Sequence, residues 1–128
     1  MKTITKGSVE KIYPKKDPWS HKGEFGKLLV IGGSRRYSGS PALVALSAYR
    51  TGCDLVVVAA PERAANIIAT FSPDIITEPL PGNILNKSYV AHILKLAQDF
   101  DAVVIGNGLG REKKTLLACL LYTSDAAD

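Results

Sequence analysis

Leu28-Leu-Val-Ile-Gly-Gly-Ser-Arg-Arg-Tyr-Ser-Gly-Ser-Pro41 carries a strand, a glycine-bounded loop and a helix start in one short stretch. Lys27–Ile31 is short, apolar and partly β-branched, the pattern of a strand buried on both faces. Gly32-Gly33 ends it, and the following residues 34–39 are polar. Ser40 can cap a helix, and Pro41 suits a first turn, where no N–H partner is needed. A mostly apolar helix is predicted from there through Ala42, Leu43, Ala45, Leu46, Ala48 and Tyr49, stopped by Gly52.

The same alternation continues downstream. Residues 55–59 read as a second buried strand, and Pro61 opens a helix to about Thr70. Residues 74–78 read as a third strand, and 79–83 as a turn. Residues 88–100 read as an amphipathic helix, with Val90, Ile93, Leu94 and Ala97 at i, i+3, i+4 and i+7. A fourth strand at 102–105, a glycine loop at 106–110 and a helix at 113–121 complete the pattern. Alternating helices and two-sided apolar strands predict an α/β fold: a largely parallel sheet with helices on both faces.

Residues 1–26 are broken by Pro14, Pro18, Gly23 and Gly26 and read as an extended arm with turns. Residues 27–121 read as part of one domain. The final helix begins to bury Leu116, Leu117, Leu120 and Leu121, yet no strand follows, so the domain is expected to be truncated. Residues 122–128 are expected to be a non-native tail.

Composition narrows the class. The chain has 128 residues, 46% hydrophobic and 22% charged, which suits a globular domain and excludes collagen, coiled coil and disorder. The net charge of +4 comes from six lysines before Gly23, set against Glu10 and Asp17; the remainder is balanced, ten basic to ten acidic. The arm is either an attraction to phosphate-bearing ligands or a solvated lead-in. A nucleic-acid binder would place a basic stripe with stacking aromatics on its folded face, so no nucleic-acid partner is expected. No run approaches the roughly 20 apolar residues of a membrane span, and no secretory signal is visible, so no membrane association and a cytoplasmic location are expected. Cys53 and Cys119 lack a CxxC or a companion histidine and read as small buried hydrophobes.

Ligands of open parallel sheets bind beyond the carboxyl ends of the strands. Two glycine loops hold that place, 32–41 and 106–110, and each can offer backbone N–H groups and a positive helix end to an anion. Arg35 and Arg36 can add charge. The third glycine of Gly-x-Gly-x-x-Gly would fall at 111, which is Arg. Gly33 and Gly39 are too far apart for a P-loop, with Ser40 where lysine should stand. His21 and His92 stand alone and read as solvated, and Asp99 and Asp101 read as capping or solvated groups.

Taken together, His21-Lys-Gly-Glu-Phe-Gly26, the stretch 28–41, Ala48-Tyr-Arg-Thr-Gly-Cys-Asp-Leu-Val56 and Asp101-Ala-Val-Val-Ile-Gly-Asn-Gly-Leu-Gly110 resemble, over roughly residues 20–115, the N-terminal part of ADP- or ATP-dependent NAD(P)H-hydrate dehydratase. That family is ribokinase-like. The resemblance implies repair of hydrated NADH or NADPH, with ADP or ATP and Mg²⁺ as cofactors. The hydrate's hydroxyl would be phosphorylated and then leave as phosphate. It further implies substrate binding at Gly39 and Ser40 in the first loop and at Gly106, Asn107, Gly108 and Gly110 in the second, with Ser34, Arg35 and Tyr37 as contacts. Ser40 stands where the family commonly has Ala. Asn107 stands for Pro, which loosens the loop and tolerates unusual backbone angles. The family's catalytic Asp lies in a Gly-x-Gly-Asp loop absent from this sequence, so no catalytic residue is expected here and these residues alone should not turn over. The resemblance also suggests a functional link to NAD(P)H-hydrate epimerase, with no epimerase domain expected upstream. An open sheet makes self-association an expectation.

Two alternatives stay open at this stage. One is a Rossmann-like nucleotide-binding module using Glu62 on a ribose. The other is a vitamin-precursor kinase of the ribokinase-like superfamily.

Overall fold

The computed structural model describes residues 3–13 and 15–125. Four strands, β1 (Lys27–Ile31), β2 (Leu55–Pro61), β3 (Ile76–Leu80) and β4 (Ala102–Ile105), form one sheet in the order β3-β2-β1-β4. Every pairing is parallel; Val30 lies beside Val58 on one side and Val104 on the other. The helices are α1 (Lys6–Glu10), α2 (Gly39–Arg50), α3 (Glu62–Ile68), α4 (Val90–Ala97) and α5 (Lys113–Asp125).

The period of two along each strand sorts the core into two layers. Val30, Val56, Val58 and Ala60 face Ala42, Ala45, Ala64, Ala65 and Ile68 of α2 and α3. Leu29, Ile31, Val57 and Ala59 face Val90, Ile93, Ala118 and Tyr122 of α4 and α5. The first layer is rich in alanine, whose small side chain lets a helix pack closely on a sheet. The buried Thr115 hydroxyl donates to the Leu85 carbonyl at 2.9 Å and ties α5 to the segment before α4. The expected α/β layering with helices on both faces is what the chain forms, and β4 is an open edge on which Val103 is 45% exposed. Leu116, Leu117, Leu120 and Leu121 of α5 are exposed as well.

Several boundaries differ from the sequence reading. β3 runs over 76–80 rather than 74–78, and Pro79, expected in a turn, pairs with Ala60 inside it. This is an edge strand, where a missing N–H can face outward. The helix α2 begins at Gly39, so Ser40 is inside its first turn rather than capping it; Ser38 flanks the helix and makes no side-chain capping bond. The segment 88–100 divides into a 3₁₀ turn at Lys87–Tyr89, where the Asn86 side chain accepts the Ser88 N–H, and α4, which ends at Ala97. The arm is not wholly extended. Thr5 and Ser8 close a reciprocal cap around α1. The helix α5 continues past 121, and Tyr122 is buried in the core; of the expected tail 122–128, residues 126–128 lie outside the described residues.

Asp54 anchors the arm to the start of β2. Its carboxylate accepts the N–H groups of Gly23 and Phe25 at 3.1 and 2.9 Å and pairs with Lys16 at 3.0 Å. Lys16 also donates to the Gly52 carbonyl and sits over the Phe25 ring. The Lys16 bond and then the Phe25 N–H hold the Asp54 carboxyl below its ordinary range. Asp101 plays a similar part at β1, accepting the Lys27 N–H at 2.8 Å. These bonds fix the amino ends of the strands.

Candidate functional site

The strand order creates the site. From β1 the chain steps outward through α2 to β2 and β3, then returns to place β4 on the other side of β1. The connection after β1 leads to α2 on one face, and the connection after β4 leads to α5 on the other. The two loops diverge at the carboxyl ends of neighbouring strands, which is the crevice where open parallel sheets bind ligands.

A cleft of about 890 Å³ opens there. Ser34, Arg35, Arg36, Tyr37 and Ser40 line it from the first loop; Gly106, Gly108, Leu109, Gly110, Arg111 and Glu112 line it from the second. The walls are held by backbone bonds. The Gly106 N–H donates to the Ile31 carbonyl at 3.1 Å, and the Gly33 N–H donates to the Asn107 carbonyl at 2.8 Å. Ser34 is buried; its N–H donates to the Tyr37 carbonyl, and its hydroxyl accepts the Tyr37 N–H. The Arg35 N–H donates to the Asn83 carbonyl, and Arg63 donates to the Arg35 carbonyl at 2.7 Å. The Arg35 backbone is thus held, and its side chain remains exposed.

Close approach explains the glycines of the rim. A methyl at Gly32 would run into the Asn107 carbonyl. Gly108 has φ +74°, and a methyl on it would sit 3.2 Å from the Tyr37 Cβ. No non-glycine among the described residues has a positive φ, so Asn107 does not use the unusual angles allowed for it.

Of the nine expected site residues, the structure puts seven along the cleft. Gly39 and Asn107 are the exceptions. Gly39 starts α2 with open space around it, and the Asn107 carbonyl is turned to Gly33. Leu109, Arg111 and Glu112 were missed as site residues. The extra signal was there: Arg111-Glu112 continues the glycine loop up to α5. Glu62, the ribose ligand of the Rossmann alternative, is exposed at the start of α3 and does not line the cleft. His92, expected to be solvated, lies 2.9 Å from the Glu78 carboxylate. His21 borders a separate cavity with Lys16, Tyr49 and Asp54.

The cleft can bind an anion through guanidinium groups and the start of α2. It offers no metal cage. Glu112 is its single carboxylate, and no cluster of three His, Cys, Asp or Glu that could hold an ion forms among the described residues. A Mg²⁺ ion carried on a nucleotide's phosphates would need no more than one or two protein carboxylates, and Glu112 is the one this cleft could offer. No described helix is long and apolar enough to cross a membrane.

The sequence profile of a family described as NAD(P)H-hydrate dehydratase matches residues 28–125. A bifunctional NAD(P)H-hydrate repair enzyme of Methanothermobacter thermautotrophicus is 49% identical over 102 residues, covering 80% of this chain and 20% of that protein. An ATP-dependent (S)-NAD(P)H-hydrate dehydratase of Physcomitrium patens is 38% identical, covering 88% of this chain and 36% of its own length. The chain thus spans about a fifth to a third of these relatives. Among solved structures, the Bacillus subtilis ADP/ATP-dependent NAD(P)H-hydrate dehydratase, co-crystallised with ATP/Mg²⁺, superposes with TM-score 0.68 at 25% identity over 94% of this chain and 41% of that one. A ribokinase-like superfamily protein of Enterococcus faecalis gives TM-score 0.76 at 18% identity, covering 94% of this chain and 40% of that one, a likeness of fold.

Proposed function

The chain belongs to the NAD(P)H-hydrate dehydratase family, and from that premise we propose that it forms the substrate-side rim for nucleotide-dependent dehydration of hydrated NADH or NADPH. One observation carries the reading: two glycine loops from neighbouring parallel strands converge on a single cleft at the point where the strand order reverses. Ser40, Gly106, Gly108 and Gly110 bound the hydrate there, with Gly39 opening α2 beside Ser40 onto free space and Asn107 bracing the second loop against the first. Ser34, Arg35 and Tyr37 complete the wall.

In this reading the residues bind and orient. The glycines let a flat ring and its ribose come close to the backbone, and the diverging loops hold them in one pose. ADP or ATP supplies, when bound, the phosphoryl group that turns the hydrate's hydroxyl into a leaving group. The Gly-x-Gly-Asp loop to which the resemblance assigns the catalytic Asp does not occur in this sequence, and the chain by itself is proposed to bind without turning over. Residues 1–26 act as a basic arm and 27–121 as the binding part, and just past them Tyr122 still packs in the core. A cytoplasmic place of action and a functional link to the epimerase belong to the same proposal.

A chimera tests it. The matched 102 residues of the Methanothermobacter relative are replaced by their counterparts from this chain, and nucleotide-dependent recovery of NADH from its hydrate is measured. The chimera is expected to retain recovery and to lose most of it on Gly39→Val. A folded chimera that recovers no NADH, beside an active parent, rejects the proposal.

A further inference from the structure

The inference here deepens the reading of the cleft as a substrate site and rests on it. Arg35 and Arg36 stand on the loop after β1, Arg111 stands on the loop after β4, and all three line one cleft. From Gly23 onward the chain is charge-balanced. Three guanidiniums against the lone carboxylate of Glu112 are therefore a local excess that composition does not supply. Two further features bear on the same space. No side chain caps α2, so none competes for the N–H groups of its first turn. The Glu112 carboxylate is folded against Gly110, where a β-carbon would collide with it.

We propose that Arg35, Arg36 and Arg111 grip the diphosphate of a nucleotide from both rims of the cleft, and that Glu112 is the negative charge opposing it. A guanidinium presents paired N–H donors to phosphate oxygens, which a neutral glycine loop alone cannot match in charge. The three arginines are exposed, so each contributes a several-fold effect that weakens with added salt. A diphosphate is common to NAD(P)H and ADP, and either can be the source.

The full 128-residue chain is titrated with NADH, ADP and reduced nicotinamide riboside, which lacks phosphate. The amide resonances of Gly106, Gly108 and Gly110 are followed by NMR. NADH is expected to bind more tightly than the riboside. Arg35→Gln and Arg111→Gln should each weaken it about five-fold while leaving the riboside unchanged. Glu112→Gln should strengthen it about two-fold. Opposite signs at adjacent residues 111 and 112 cannot arise from lost folding. Loop shifts with NADH assign the diphosphate to the dinucleotide; shifts with ADP alone keep the grip and remove the dinucleotide reading. Arginine variants that bind NADH like the parent chain, with the loops still shifting, overturn the grip and leave the cleft reading standing. If none of the three ligands moves these resonances, both fall.

Discussion

The Gly33 N–H donates to the Asn107 carbonyl at 2.8 Å, joining two loops 74 residues apart in sequence. That bond makes the floor of one cleft from two separate strand ends. It also explains why glycine is needed beside it. Gly108→Ala would place a methyl 3.2 Å from the Tyr37 Cβ at a φ of +74°. The expected cost is roughly 1–3 kcal/mol in stability. Urea denaturation checks it, and an unchanged midpoint would mean that the loops do not meet as described.

Gly39 is the contrasting position. Nothing lies within 4 Å of a β-carbon built there, and its φ is not positive. Gly39→Val should leave the melting temperature within about 2 °C of the parent, because valine's lower helix cost offsets its stiffness. Binding of NADH should fall several-fold at the same time. A melting temperature lowered in proportion to the lost binding would make Gly39 structural instead.

The anchor at Asp54 predicts a dependence on pH. Its folded carboxyl titrates below the ordinary value of about 3.9, because Lys16 and the Phe25 N–H favour the charged form. A depressed folded pKa contributes stability that is complete above the unfolded pKa and lost as pH falls through the folded one. Asp54→Asn should therefore reduce stability near neutral pH and narrow its gap to the parent in acid. Thermal melts at neutral pH and near pH 3 measure the gap, and a constant gap would reject the anchor.

Tyr49 completes a backbone ladder. Its hydroxyl accepts the Val56 N–H at 3.1 Å and donates to the Asp74 carbonyl. Burial, the largest influence, raises its pKa. β3 begins opposite Val57, so Val56 has no partner on that side. Tyr49→Phe leaves a buried N–H unpaired and should cost about 1–3 kcal/mol. Faster amide exchange at Val56 should accompany the loss.

Tyr122 predicts the reverse. It is 5% exposed, and its hydroxyl has no hydrogen-bond partner among the described residues. Burial drives its pKa well above the ordinary tyrosine value. Tyr122→Phe keeps the ring and removes the unpaired hydroxyl, so it should be neutral or stabilising by about 1 kcal/mol. A clear loss of stability in the denaturation curve would show that the hydroxyl is satisfied in solution.

The amino-acid sequence alone determined the alternation of elements. Lys27–Ile31 and Ala102–Ile105 occur where their apolar runs place them, because a continuous apolar run is a local signal for a strand, although β4, at the sheet edge, stays partly exposed. Both glycine loops were legible for the same reason: backbone freedom is written into residue type. Tertiary structure decided what lies beside what. The order β3-β2-β1-β4 brings Arg35 and Arg111 to one cleft, turns Asn107 toward Gly33, lets Pro79 sit in an edge strand and makes Asp54 the clasp of the arm. Those outcomes depend on pairing between residues distant in the chain, and hydrophobic period, a local quantity, carries no information about which strands become neighbours.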